Sequence, residues 1–220
     1  MGIDLKHLLE APNLPQLVKE AQAVLVEEAR LREQFYNDID ETVKAEFING
    51  QVVMHSPVKR MHNNARKWLL KLMDTYVEIH QLGEVQDEKI MIHLSRNSFE
   101  PDIAFWNNEK AKDFQDDQML FPAPDFIVEV LSPSTTKNDR GVKMIDYALH
   151  QVQEYWIIDP AEQIVEQYLL QKEQAVYDLH SRKEVGDEIS SHAIAGFRIP
   201  VNAIFFAASN LEALKQLGKV

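Results

Sequence analysis

The chain has 220 residues, with 23 Lys and Arg against 35 Asp and Glu, for a formal net charge of −12. That length suits one domain, or one domain with a helical extension, and can bury a sizeable core. Cysteine is absent, which excludes a disulfide framework and cysteine metal sites and is compatible with a reducing cytoplasm.

No apolar run reaches the length of a membrane span. Met1–Lys6 lacks the basic-then-apolar order of a signal peptide, so a cytoplasmic protein without a membrane partner is expected. The acidic balance has the wrong sign for a nucleic-acid binder, since phosphate neutralisation supplies most non-specific affinity. Basic residues do gather locally, at Lys59, Arg60, Arg66, Lys67 and Lys71 and again at Lys137, Arg140 and Lys143. These clusters read either as a local basic face on an acidic body or as solvated helix faces.

Residues 14–36 carry apolar positions at helical spacing, with Asn13 and Pro15 suited to a helix start. They predict an N-terminal helical extension over residues 1–40 that packs on the core or on a partner, ahead of a main domain over 41–220. Asn49-Gly50 predicts a type I′ hairpin over 44–55, and a helix follows over 59–79. Strands are expected at 84–94 and 99–106, then a polar acidic loop from Asn107 to Gln118. Asp125–Leu131 is the clearest buried strand, apolar on both faces apart from Glu129. A polar loop over 132–138 leads to a helix over 139–150. Further strands are expected at 155–158, 163–170, 174–180 and 187–191, with Gly196–Pro200 closing the core and a terminal helix over 210–217. Strands interleaved with helices imply a mixed α/β layer architecture.

Two carboxylates are out of place in this pattern. A lone ionised Glu129 within its apolar strand would cost several kcal/mol. It must be protonated, paired with a cation such as Lys143 or Arg140, or bound to a metal. Asp102 follows Pro101 at the start of another expected strand, and two acids from adjacent strands suit a hard divalent ion that keeps several waters. Lys143 shares a helix face with Asp139, Asp146 and Tyr147. It reads either as an i,i+4 partner of Asp139 or as a cation aimed at an attacking water or a phosphate. Glu46, beside the hairpin turn, reads as an exposed strand residue. His62, near the start of the 59–79 helix, reads as a solvated histidine or a phosphate contact.

The run Pro124-Asp125-Phe126-Ile127-Val128-Glu129-Val130-Leu131-Ser132-Pro133-Ser134-Thr135 resembles the Uma-type restriction endonuclease family of the PD-(D/E)XK nuclease superfamily. So do Asp139-Arg140, Lys143, Tyr147 and Glu154–Pro160 downstream, and Glu46–Gly50 and Ser56-Pro57…His62 upstream. The resemblance covers roughly residues 42–207 and leaves out residues 1–40. It implies a restriction-endonuclease-like mixed β-sheet core flanked by helices.

It further implies a metal site for Mg²⁺, or Mn²⁺ as a substitute, held by Asp102, Glu129 and the carbonyl of Val130. Lys143 would stand in for the superfamily lysine, whose usual place is here Leu131. Glu46 would complete the metal shell through water, and His62 or Arg140 would hold the DNA backbone. The implied activity is DNA phosphodiester hydrolysis by a symmetric homodimer. A nuclease-fold protein that binds DNA or serves as a scaffold without catalysis remains an alternative, as does a hydrolase of another substrate such as a glycoside. The helix over 139–150 ends on His150-Gln151-Val152, where a glycine is common in the family.

Overall fold

The alternating side chains of the strand at 126–130 face two different cores. In the computed structural model, which describes residues 5–40 and 42–217, Phe126, Val128 and Val130 join one buried cluster while Ile127 and Leu131 join another. A strand period of two requires this division. Residues 1–4, part of the stretch read above for a signal peptide, lie outside the described residues, as do residue 41 and residues 218–220.

Helices α1 (Leu5–Glu10) and α2 (Leu14–Asp38) open the chain. The hairpin β1 (Ala45–Ile48) and β2 (Gln51–Met54) turns at Asn49 and Gly50, whose φ values of 50° and 80° are those of the expected turn. Helix α3 (Arg60–His80) follows, then β3 (Gly83–Asp87), β4 (Met91–His93), β5 (Ser98–Phe99) and β6 (Ile103–Asn107). A short α4 (Asn108–Ala111) occupies the expected acidic loop and leads to β7 (Leu120–Phe121) and β8 (Phe126–Val130). Next come the single turn α5 (Thr136–Asn138), a π-helical turn at Asp139–Lys143, and α6 (Met144–Leu149). Strands β9 (Glu154–Asp159), β10 (Ile164–Gln171), β11 (Val176–Glu184), β12 (Glu188–Ser190) and β13 (Arg198–Pro200) precede α7 (Asn202–Phe205) and α8 (Ala207–Leu217).

A six-stranded sheet in the order β11-β10-β9-β8-β6-β3 forms the centre, with β8 and β9 parallel and the other neighbours antiparallel. One face packs on α3, α7, α8 and β13 through Leu69, Leu72, Phe126, Trp156 and Phe197. The other face meets α6 and a five-stranded sheet in the order β2-β1-β5-β4-β7, through Phe99, Trp106, Ile127, Tyr147 and Tyr155. The outer side of that smaller sheet is covered by the C-terminal turns of α2, where Phe35 and Leu31 pack on Ala45, Phe47 and Met91. The fold is thus a mixed α/β layer structure with helices flanking the sheets, as expected.

Three expected elements are broken, each for a local reason. The strand expected at 84–94 divides into β3 and β4, which belong to different sheets. Between them Glu88 and Lys89 take φ values of 20° and 61°, outside any strand conformation. The strand expected at 99–106 divides likewise into β5 and β6 around Pro101, which has no N–H to give a ladder. The helix expected at 139–150 carries a π turn over its first five residues. Moreover, the apolar positions of α2 do not pack on the core along its whole length, because Val18, Val24 and Leu25 are exposed and only Glu28 and Phe35 are buried.

At the end of α6, Gln151 takes the left-handed conformation at φ 63°, while its neighbour Val152 donates to the carbonyl of Tyr147. A side chain at such a cap costs about 1 kcal/mol relative to glycine. Gln151→Gly should therefore raise stability by about that amount, seen as a higher denaturant midpoint at unchanged slope. An unchanged midpoint would show that the glutamine side chain offsets its own backbone strain.

Candidate active site

The two crossings between the sheets, at 88–90 and 100–102, place acidic residues in the seam between them. Glu100 and Asp102 flank Pro101 there and both are buried. On β1, Ala45 and Phe47 face α2, so Glu46 points inward to the seam, where it is also buried. Glu129 enters from β8 by the same alternation. Asp139 and Lys143 enter from the π turn, with Lys143 only 1% exposed. A widened helical turn of this kind often marks a functional site.

Lys143 is the centre of the cluster. Its Nζ lies 2.8 Å from Glu46 Oε1, 2.9 Å from Glu129 Oε1 and 3.3 Å from Asp139 Oδ1. Tyr147 donates to the same Glu129 oxygen at 3.1 Å. Glu46 is further tied to the seam, since Oε1 accepts from the backbone N–H of Glu100 at 3.0 Å and Oε2 lies 3.1 Å from His55 Nε2. Asp102 stands beside this cluster. Its Oδ2 accepts from the backbone N–H of Val130 at 2.8 Å and lies 3.4 Å from His62 Nε2, while Lys44 Nζ is 3.4 Å from Oδ1.

The environments drive these carboxyls apart. Burial pushes Glu129 well above the ordinary carboxylate range, helped by the negative charges of Asp139, Asp102 and Glu46 and opposed by Lys143. Burial also raises Asp139 against the pull of Lys143. Burial opposes ionisation of Glu46 too, but Lys143 and His55 prevail and hold it at about 2. Asp102 likewise stays ionised, because His62, Lys44 and the Val130 N–H outweigh its burial. Burial and Glu46 lift Glu100 to about 7 despite Lys44. Lys143 loses from burial but gains more from its three carboxylates, so it is held charged well above the usual lysine range.

A cleft of about 270 Å³ opens onto this cluster, with Asp102, Glu129, Lys143, His62, Lys44 and Glu100 among its walls. Among the described residues no three His, Cys, Asp or Glu side chains gather in an arrangement that could hold a metal ion. A smaller donor set is available. Leu131 N–H bonds to Ile158 on β9, so by alternation the N–H and C=O of Val130 turn toward β6. The Val130 N–H meets Asp102 there. Two carboxylates on one cleft with a carbonyl beside them are hard oxygen donors, and they fit an ion such as Mg²⁺ that fills its remaining positions with water.

Asp102, Glu129, Lys143, Glu46 and His62 thus converge, as do the backbone groups of Val130. The reading of Glu46 as an exposed strand residue is overturned, and so is that of His62 as a solvated histidine, since both are buried. Lys143 meets Asp139 as its helical spacing allows, and two further acids besides. Arg140 does not join the cluster. Its guanidinium is held by Glu166 through bonds of 2.6 and 3.1 Å. Leu131 does not reach the acidic cleft either and lines a neighbouring apolar one. Lys44, His55 and Glu100 were not anticipated. Of the basic cluster on α3, Arg66 is engaged by Asp87 and Glu88.

The family model of Uma2, described as "Putative restriction endonuclease", matches residues 32–202. Among solved structures the chain is similar to one described as a putative nuclease belonging to DUF820 from Anabaena variabilis, at 17% identity and a TM-score of 0.66. That match covers 83% of this chain and 97% of the other. The likeness shows the fold. No curated protein matches the chain.

Two stability effects follow from the seam. Lys143→Met removes the cation from three buried carboxylates and should cost about 3–5 kcal/mol near neutral pH. The loss should shrink as pH falls through the ordinary carboxylate range, because the stranded acids then take up protons; denaturant titrations at pH 5 and 8 would show it, and an equal loss at both would separate the acids from the lysine. Glu100 has its folded value raised to about 7 from 4.5, so it costs nothing below pH 4.5, costs more as pH rises to 7, and levels off above. Glu100→Gln should therefore be more stable than the parent by about 1–3 kcal/mol at pH 8 and no different at pH 4.5.

Proposed function

The chain belongs to the Uma2 family, and from that premise we propose that it is a Mg²⁺-dependent endonuclease hydrolysing DNA phosphodiester bonds. The observation that carries this reading is the pairing of Asp102 and Glu129 on one cleft with a buried Lys143 between Glu129 and Glu46. Burying an ion cluster is often no more stabilising than well-packed apolar residues of the same volume. A scaffold alone would have no use for the arrangement.

Each residue then has a role that its environment supports. Asp102 is ionised and anchored by the Val130 N–H, so it presents a fixed negative edge to the cleft. Glu129 has its hydrogen bonds gathered on Oε1. A bound Mg²⁺ would supply an activated water and offset the charge growing on the phosphate. The protein would hold such an ion through Asp102, Glu129 and the Val130 carbonyl. Lys143 acts as a cation and not as a base, because its neighbours keep it protonated. Its three N–H groups already meet Glu46, Glu129 and Asp139, so it acts through its charge, which offsets the extra negative charge of the transition state. Glu46 positions Lys143. His62, in the first turn of α3, lines the cleft and could meet the DNA backbone there. A symmetric dimer would bring two such sites to the two strands of a duplex.

The test is conversion of supercoiled plasmid to nicked and linear forms. The protein should cut with Mg²⁺ or Mn²⁺ and stop with chelator. Asp102→Asn keeps an acceptor for the Val130 N–H, so it should fold yet lose at least about a hundredfold in rate, as should Glu129→Gln. Intact plasmid and intact single-stranded DNA after incubation of well-folded protein with either metal would refute the nuclease reading. Cutting that persists in chelator would refute its metal dependence.

A further inference from the structure

A second cleft adjoins the acidic one. It has a volume of about 320 Å³ and shares only His62 and Ser132 with its neighbour. Its walls are largely apolar, with Met61, Leu131, Pro133, Pro160 and Ala161 contributing. Lys59, Arg140 and Asp159 stand among them, with the Asp159 carboxylate turned to the N–H groups of Ala161 and Glu162. Nothing in the phosphodiesterase reading uses this cleft. An apolar hollow beside the cleft proposed to hold a phosphate suits an aromatic group joined to that phosphate.

We propose that this cleft receives one unstacked base of a single-stranded or locally opened nucleic acid, next to the phosphate held in the acidic cleft. The proposal rests on the nuclease reading and names the form of its substrate.

Three features support it. First, His62 and Ser132 line both clefts, so the clefts adjoin as a phosphate and its own base do. Second, Arg140 is fixed in place by its two bonds to Glu166, which neutralise its charge and hold its plane. A guanidinium so held is a poor phosphate clamp and a good stacking surface. That assigns a use to a residue that the acidic cluster leaves out. Third, His62, shared by both clefts, is buried, its Nε2 faces Asp102, and its Nδ1 has no hydrogen-bond partner among the described residues. A buried ring nitrogen without a partner costs free energy unless a ligand supplies one. The cleft is too small for a base pair and its flanking strands, so a closed duplex cannot place a base there. Lys59, which has no ion-pair partner among the described residues, is left to meet the backbone, and recognition by base contact would also lessen the penalty that a net charge of −12 puts on binding DNA.

Ala161 is exposed on the turn after β9 and outside the acidic cluster, so Ala161→Trp should fill the cleft without harming the fold. The probes are a fluorescent twelve-nucleotide DNA strand and the same backbone carrying abasic residues throughout, titrated in Ca²⁺ to suppress cutting. The parent should bind the base-bearing strand at least about tenfold tighter than the abasic one, as expected for one stacked base. Ala161→Trp should abolish that difference while leaving abasic binding unchanged. Equal binding of both strands by the parent, or a preference that survives Ala161→Trp, would overturn the base site. If Mg²⁺-dependent plasmid cutting still occurs, the nuclease reading stands without it; if the parent neither cuts plasmid nor binds either strand, both fall.

Discussion

Everything at the site depends on keeping one ammonium group dry. Lys143 is buried, and an isolated charge there would cost several kcal/mol. Three carboxyls surround it, which would overcompensate if all were ionised. The protein settles this by environment. Glu46 is held ionised by Lys143 and His55, whereas burial and mutual repulsion push Glu129 and Asp139 toward their neutral forms. Lys143 and Glu46 form the firmest ion pair of the cluster, while the opposing shifts of Glu129 and Asp139 lessen its excess negative charge. A dication placed against Glu129 would compete with protons for that carboxyl, so metal binding and protonation are linked at this residue.

The cluster also explains why the fold needs two sheets that share strands' worth of chain. Glu46 comes from the smaller sheet, Glu129 from the larger, and Lys143 and Asp139 from the turn between β8 and β9. The chain passes between sheets at 88–90 and 100–102, and the second passage delivers Glu100 and Asp102 to the seam. The reciprocal bonds from Glu100 N–H to Glu46 and from Ala45 N–H to Glu100 close that passage. Backbone groups that the break at Pro101 frees from the ladders are thereby satisfied by the acids themselves.

Much of this was legible in the sequence, and what was not has identifiable causes. Glu129 stood out because its strand is apolar on both sides, and the Asn49-Gly50 turn fixed the hairpin. That same turn contained more than was drawn from it. Its register sets Ala45 opposite Met54 and brings His55 N–H to the carbonyl of Lys44. Lys44, Glu46 and His55 therefore share one face, and the burial of Glu46 would have implicated the other two. The breaks within 84–94 and 99–106 were hidden because each segment has unbroken strand composition; only Pro101 hinted at one of them. The apolar cleft beside the acids had no signature at all, since Met61, Leu131 and Pro160 come from three separated segments that only the tertiary fold assembles.

Another buried glutamate shows why composition alone cannot assign chemistry. Glu154 opens β9 in a run as apolar as that of Glu129, and it is even less exposed. Its oxygens accept from Trp156 Nε1 and Gln167 Nε2 at 2.6 and 2.7 Å, from Ser191 Oγ at 2.6 Å, and from the N–H groups of His192 and Ala193, both at 2.8 Å. Those bonds pin the 191–193 loop to the large sheet and exhaust the acceptor capacity of the carboxylate, leaving it nothing to offer a ligand. Glu129 differs in both respects. Its hydrogen bonds converge on one oxygen, and it lies on the wall of a cleft. A carboxylate satisfied on all sides by neutral donors is a structural clasp, whereas one satisfied on a single oxygen by a cation is poised to exchange a proton for a ligand. The distinction lies in the number and placement of donors, which a strand pattern does not encode.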